Sequence, residues 1–118
     1  MRIEDDIKLD FKDVLIRPKR SKLASRQHVE LNRKYTFKYS KQSWIGTPIM
    51  AANMDGVGTR QMATLLSSFN MFTCLVKSYT ITDWATKITG LNVTNLAVST
   101  GTSDKDYEKL SNILDAVK

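Results

Sequence analysis

Three short apolar runs, each followed by an amphipathic stretch that opens on a hydroxyl-bearing residue, constrain this chain more than any other feature. Pro48–Ala52 reads as a strand buried on both faces. Thr59 then caps a helix in which Met62, Leu65, Leu66 and Phe69 recur at i, i+3, i+4 and i+7. Met71–Val76 is a second run. It leads into Thr80-Ile81-Thr82-Asp83, a capping-box start for a helix with Ile81, Trp84, Ala85 and Ile88 on one face, closed by Gly90. Leu96–Val98 is a third strand, and the helix after Ser103-Asp104-Lys105-Asp106 directs Tyr107, Leu110, Leu114 and Val117 inward. Such alternation predicts an α/β fold with a parallel sheet and covering helices.

Residues 1–46 have another character. They are basic and irregular, with β-like pieces at Val14–Ile16 and Tyr35–Phe37 and no sustained helical period. The chain therefore divides into an N-terminal segment, 1–46, and three βα units, 47–118. Three units fall short of a closed (β/α)8 barrel, which takes about 200 to 400 residues. The expectation is an incomplete domain, the opening of something larger.

The 118 residues are 42% apolar and 25% charged with a formal net charge of +6, a globular composition suited to contact with phosphates. On charge alone a nucleic-acid surface, a site for a phosphorylated small ligand and a solvated basic surface all stand. The densest basic stretch, Ile16–Arg26, lacks the interleaved aromatics on which bases stack. Ser25 and Arg26 suit a phosphate, because guanidinium engages its oxygens bidentately, and a solvated arm accounts for the stretch equally well. Cys74 is the single cysteine and His28 the single histidine, so no disulfide framework or metal site is expected. A reducing, cytoplasmic setting fits that cysteine usage. The charged N-terminus does not read as a signal peptide, and the long uncharged run Gln61–Val76 is too short to span a membrane.

Ligands of parallel α/β folds sit at the carboxyl ends of the strands. Here those ends are Asn53-Met54-Asp55, Lys77-Ser78-Tyr79 and Ser99-Thr100-Gly101-Thr102. Thr59, Thr80 and Ser103 read as helix caps. Lys77 is harder to assign to structure, since it follows a wholly uncharged run. Alternation puts it on one face with Leu75 and Thr73. If Lys77 points into a site, Cys74 points toward the helix layer, where it would be core packing and a poor nucleophile.

The segments "IKLDFKDVLIRPKRSKLASR", "TPIMAANMDGVGT", "FTCLVKSY" and "AVSTGTSDKDYEK" together resemble the N-terminal third of the GMP reductase family. The sister family, IMP dehydrogenase, carries Ser-Ala-Ala-Met-Asp where this chain has Ala51–Asp55, and usually an insertion that is absent between Trp84 and Leu96. The resemblance implies a partial TIM (β/α)8 barrel and NADPH-dependent reductive deamination of GMP to IMP and ammonia through a cysteine thiolate that attacks the purine C2. It implies that Ser25 and Arg26 contact the dinucleotide across a subunit interface, and that Lys77 lies near its nicotinamide end in a supporting catalytic role. Asn53, Met54 and Asp55 would adjoin the nucleotide, Met54 lying against the purine, with Ser99 and Thr100 at the third strand's end. A homotetramer and a monovalent cation (K+) in the complete enzyme belong to the same picture, with no nucleic-acid or membrane partner. Three features depart from the family: Val76 and Ser78 replace two histidines flanking Lys77, Gly56 replaces a threonine, and the nucleophilic cysteine falls beyond Lys118. Cys74 is not its counterpart, so this chain alone is expected to be inactive. The alternative is a catalytically incomplete module that only binds nucleotides or other chains.

Overall fold

Leu75 and Ile88 have no exposed surface, and the packed part of the molecule is organised around them. The computed structural model describes residues 5–88 and 90–117. Strands β1 (Arg33–Thr36) and β2 (Ser43–Gly46) form an antiparallel hairpin with Arg33 opposite Gly46 and Thr36 opposite Ser43. Strands β3 (Met50–Ala51), β4 (Phe72–Leu75) and β5 (Leu96–Val98) form a parallel sheet in that order. Helix α1 (Arg60–Ser67) joins β3 to β4. Helix α2 (Ile81–Asp83) widens into a π-helical turn (Trp84–Ile88) before β5, and α3 (Asp104–Ala116) follows it. The expected order of strand and helix is met, with the parallel register Met50–Phe72, Thr73–Leu96 and Leu75–Val98.

Each helix starts where its cap was read. Thr59 accepts from the Met62 N–H, and Thr80–Asp83 and Ser103–Asp106 are complete capping boxes. Ala63, Leu75, Trp84, Ile88 and Ile113 form the buried cluster, so all three helical segments cover one face of the sheet. Thr73 and Leu75 point into that layer.

Several expectations are corrected. Cys74 does not face the helix layer: strand alternation turns it to the opposite face, half-buried, with its thiol 3.2 Å from the Met50 sulfur. The inward stripe of α1 runs through Met62, Ala63 and Leu66, while Leu65 and Phe69 are exposed. Phe69 lies past the helix end, in a turn that Asn70 closes at φ +53°. In α3 the stripe is Leu110 and Ile113, continued by Val117 just past its end, with Tyr107 and Leu114 exposed, because Asp106 and Lys109 are bound to Lys77 beyond β4 and turn that face inward. Val14–Ile16 is exposed and pairs with no strand among the described residues. The strand expected at Pro48–Ala52, buried on both faces, is regular only over Met50–Ala51, and Ile49 and Met50 are more than half exposed.

The hairpin closes the amino-terminal end of the sheet. The Trp44 ring meets Phe72 edge-on at 5.6 Å, and the Thr47 N–H donates to the Asn70 carbonyl at 2.8 Å. Residues 5–32 are exposed except at Ser25, which is half-buried, and Val29–Asn32 border a cavity with Thr47 and Ser68–Met71. The radius of gyration is 18.3 Å accordingly, against about 13.5 Å for a compact chain of this length. No helix among the described residues is long and apolar enough to cross a membrane.

Candidate functional site

The carboxyl ends of β3, β4 and β5 meet on one edge of the sheet, because the three strands are parallel and paired in sequence order. Lys77 stands two residues beyond β4. Its ammonium lies 2.7 Å from Asp106 Oδ1, with about half of the lysine side chain exposed (54%) and the aspartate largely covered (18%). The other carboxylate oxygen, Oδ2, accepts from the Ser103 hydroxyl at 2.7 Å. Lys109, one turn further along α3, donates to the main-chain carbonyl of Lys77 at 2.8 Å. The lysine is thus gripped at both ends by two residues of α3.

Lys77 first, and then Ser103, hold the Asp106 carboxyl down at about 2, so it is ionised throughout the neutral range. Thr100 completes the corner, its hydroxyl donating to the Asp106 carbonyl at 3.1 Å. Gly101 passes close enough that a β-carbon there would meet the Asp106 carboxylate and the Lys77 ammonium. Burial pushes the Cys74 thiol up from its ordinary value, which leaves it a weak nucleophile.

Asn53, Met54 and Asp55 occupy the turn after β3, all exposed, one strand over from Lys77. The Met54 carbonyl accepts from the N–H groups of both Val57 and Gly58 at 2.9 Å, and Gly56 sits at φ +79°. That left-handed conformation suits glycine and disfavours a β-branched residue. Gly58 is buried between β3 and β4, where a β-carbon would strike the carbonyl oxygens of Cys74 and Ala52. The Val76 N–H donates to the Gly58 carbonyl at 2.9 Å, so the two strand ends are stitched together. The Tyr79 hydroxyl accepts from the Arg60 N–H at 2.9 Å, tying the second strand end to the start of α1.

The structure therefore brings Lys77 and Thr100 into one corner, sets Ser99 half-buried just past β5, and places Asn53–Asp55 along the same edge. Ser25 and Arg26 lie elsewhere, in the extended arm. The Ser25 hydroxyl caps the short turn Arg26–His28, accepting from the Gln27 N–H at 3.2 Å, and Arg26 is exposed. Sequence reading missed Asp106 and Lys109 as members of the site, and named Gly101 at the third strand's end without its closeness to the ion pair. Ser103-x-x-Asp106 was legible as a helix cap, but its pairing with a lysine 29 positions earlier was not.

A parallel α/β unit with a tethered, half-exposed lysine at the carboxyl edge of its strands is a scaffold that receives ligands at that edge. The chain belongs to the IMP dehydrogenase / GMP reductase family, whose domain profile matches residues 8–110. It is 56% identical, across 98% of its length, to the GMP reductase of Shigella boydii serotype 18 (strain CDC 3083-94 / BS512). Identity and coverage are the same for the GMP reductases of Escherichia coli O1:K1 / APEC and Escherichia coli strain K12 / DH10B. The chain spans about a third, 34%, of the length of these relatives.

Proposed function

We propose that this chain supplies the N-terminal arm and first three βα units of a (β/α)8-barrel enzyme. In this reading the enzyme reductively deaminates GMP, consuming NADPH and two protons and yielding IMP, ammonium and NADP+. The observation that carries the reading is the position of Lys77: a cation fixed at the carboxyl edge of the strands, on the same edge as the turn Asn53–Asp55, in a chain 56% identical to proteins named GMP reductase.

The residues present fit a phosphorylated dinucleotide, since Arg26 is exposed and Lys77 keeps about half of its side chain open to a ligand while paired. NADPH, when bound, supplies the hydride. Lys77 orients the nicotinamide end through its remaining N–H donors, an ammonium having three. Ser25 and Arg26 hold the dinucleotide from a neighbouring subunit of a cytoplasmic homotetramer. Asn53, Met54 and Asp55 line the purine side, and Ser99 and Thr100 border it. The cysteine nucleophile and a K+ site belong to the remaining two-thirds of the enzyme.

The test replaces the corresponding first third of Escherichia coli GMP reductase with this chain and follows loss of NADPH absorbance with GMP. The chimera is expected to oxidise NADPH in a GMP-dependent manner, and Lys77→Ala to lower kcat/KM by about 100-fold. A folded chimera that consumes no NADPH with GMP overturns the reading.

A further inference from the structure

We infer that Asp106 is the positioning residue for Lys77, an inference that rests on the reductase reading for its readout. A lysine on a four-carbon stem samples many rotamers, and a half-exposed one at a strand end has no intrinsic reason to hold a single direction. Here its ammonium is captured at 2.7 Å by Asp106 Oδ1. The aspartate is in turn steadied by Ser103, whose hydroxyl and N–H both donate to Oδ2, while the Thr100 hydroxyl donates to its main-chain carbonyl. Lys109 fixes the other end of the lysine through the main-chain carbonyl. The absence of a side chain at Gly101 leaves room for the carboxylate and ammonium to meet.

One of the ammonium's three N–H bonds is thereby spent on protein, and the other two are left in a defined direction. The pair also carries no net charge. Lys77 in this state is suited to donate to a neutral acceptor on a ligand, such as an amide carbonyl, more than to neutralise a phosphate. Asp106 contributes to the reaction through Lys77 and touches no reacting atom.

The experiment has two arms. In the first, the lysine side-chain ammonium resonances of this chain are compared by nitrogen-15 NMR among the parent, Asp106→Asn and Ser103→Ala. Ser103→Ala removes the helix cap but leaves Oδ1 for the lysine. The Lys77 ammonium is expected to be protected from exchange in the parent and in Ser103→Ala, and to lose that protection in Asp106→Asn. In the second, the same substitutions are made in the chimera. Asp106→Asn is expected to raise the KM for NADPH and lower kcat/KM by about 10- to 100-fold, with Ser103→Ala far closer to the parent. Equal ammonium behaviour in parent and Asp106→Asn overturns the inference. So do equal losses of kcat/KM in the two variants, which would mark Asp106 as a helix cap alone. A protected Lys77 in a parent chimera that oxidises no NADPH overturns the GMP reading, and with it the catalytic purpose given to Asp106, while the ion pair itself stands.

Discussion

The indole N–H of Trp44 donates to the side-chain carbonyl of Asn95 at 2.8 Å, tying the antiparallel hairpin to the residue that precedes β5. Asn95 is buried (4% exposed) and its amide group also reaches the Ser67 hydroxyl at 3.3 Å, so hairpin, α1 and sheet share one polar node. Trp44→Phe keeps the edge-on contact to Phe72 but orphans the Asn95 oxygen. A buried acceptor stripped of its donor costs about 1–3 kcal/mol. The expected result is a lower urea midpoint at unchanged slope, and an unshifted midpoint would show that water replaces the indole without cost.

Thr73 presents the opposite case. Its hydroxyl is fully buried in the helix layer and has no hydrogen-bond partner among the described residues. Valine has nearly the same shape and no polar atom to desolvate. Thr73→Val is expected to raise stability by about 1 kcal/mol, read as a higher urea midpoint. A drop instead would mean that the hydroxyl is hydrogen-bonded in solution.

Much of this architecture was legible because its causes are local. Thr59, Thr80 and Ser103 cap helices through atoms three residues away, and Leu96–Val98 is bounded as an apolar run must be. What failed to read depended on distant partners. The stripe of α3 is turned by the hold of Asp106 and Lys109 on Lys77, contacts that span 29 and 32 positions. The side of the sheet that Cys74 faces follows from which face the helices cover, and alternation alone cannot choose between faces. The site was half legible for the same reason: the strand ends could be named, but the helix that grips Lys77 could not.

The capping boxes give the fold an acid-sensitive start to two helices. The Asp106 carboxyl stands at about 2 against an ordinary 3.8, held there by Lys77 first and Ser103 next. Asp83 is likewise lowered, chiefly by Lys87 and then Thr80. A carboxyl depressed on folding stabilises the native state above its unfolded pKa, and that contribution is lost as pH falls through the folded value. Stability is therefore expected to be level above about pH 4 and to decline toward pH 2, with helix loss followed by far-UV circular dichroism. Asp106→Asn should flatten that decline, and an identical slope in parent and variant would contradict the assignment.

Two glycines meet obstacles of different kinds, and alanine at each should separate stability from site geometry. A β-carbon at Gly58 collides with the main-chain oxygens of Cys74 and Ala52, which can yield only if β3 and β4 shift. Gly58→Ala is expected to cost about 1–3 kcal/mol, the range for forced overpacking. At Gly101 the obstacles are the ends of two flexible side chains, the Asp106 carboxylate and the Lys77 ammonium. These can swing aside, so Gly101→Ala should cost less than about 1 kcal/mol. Its effect should appear in the ion pair, as faster reductive methylation of Lys77 in the variant than in the parent. Unfolding titrations and lysine-resolved mass spectrometry on the two variants check both halves. A strongly destabilised Gly101→Ala with unchanged Lys77 reactivity would mean that the carboxylate and ammonium hold their places and the backbone yields instead.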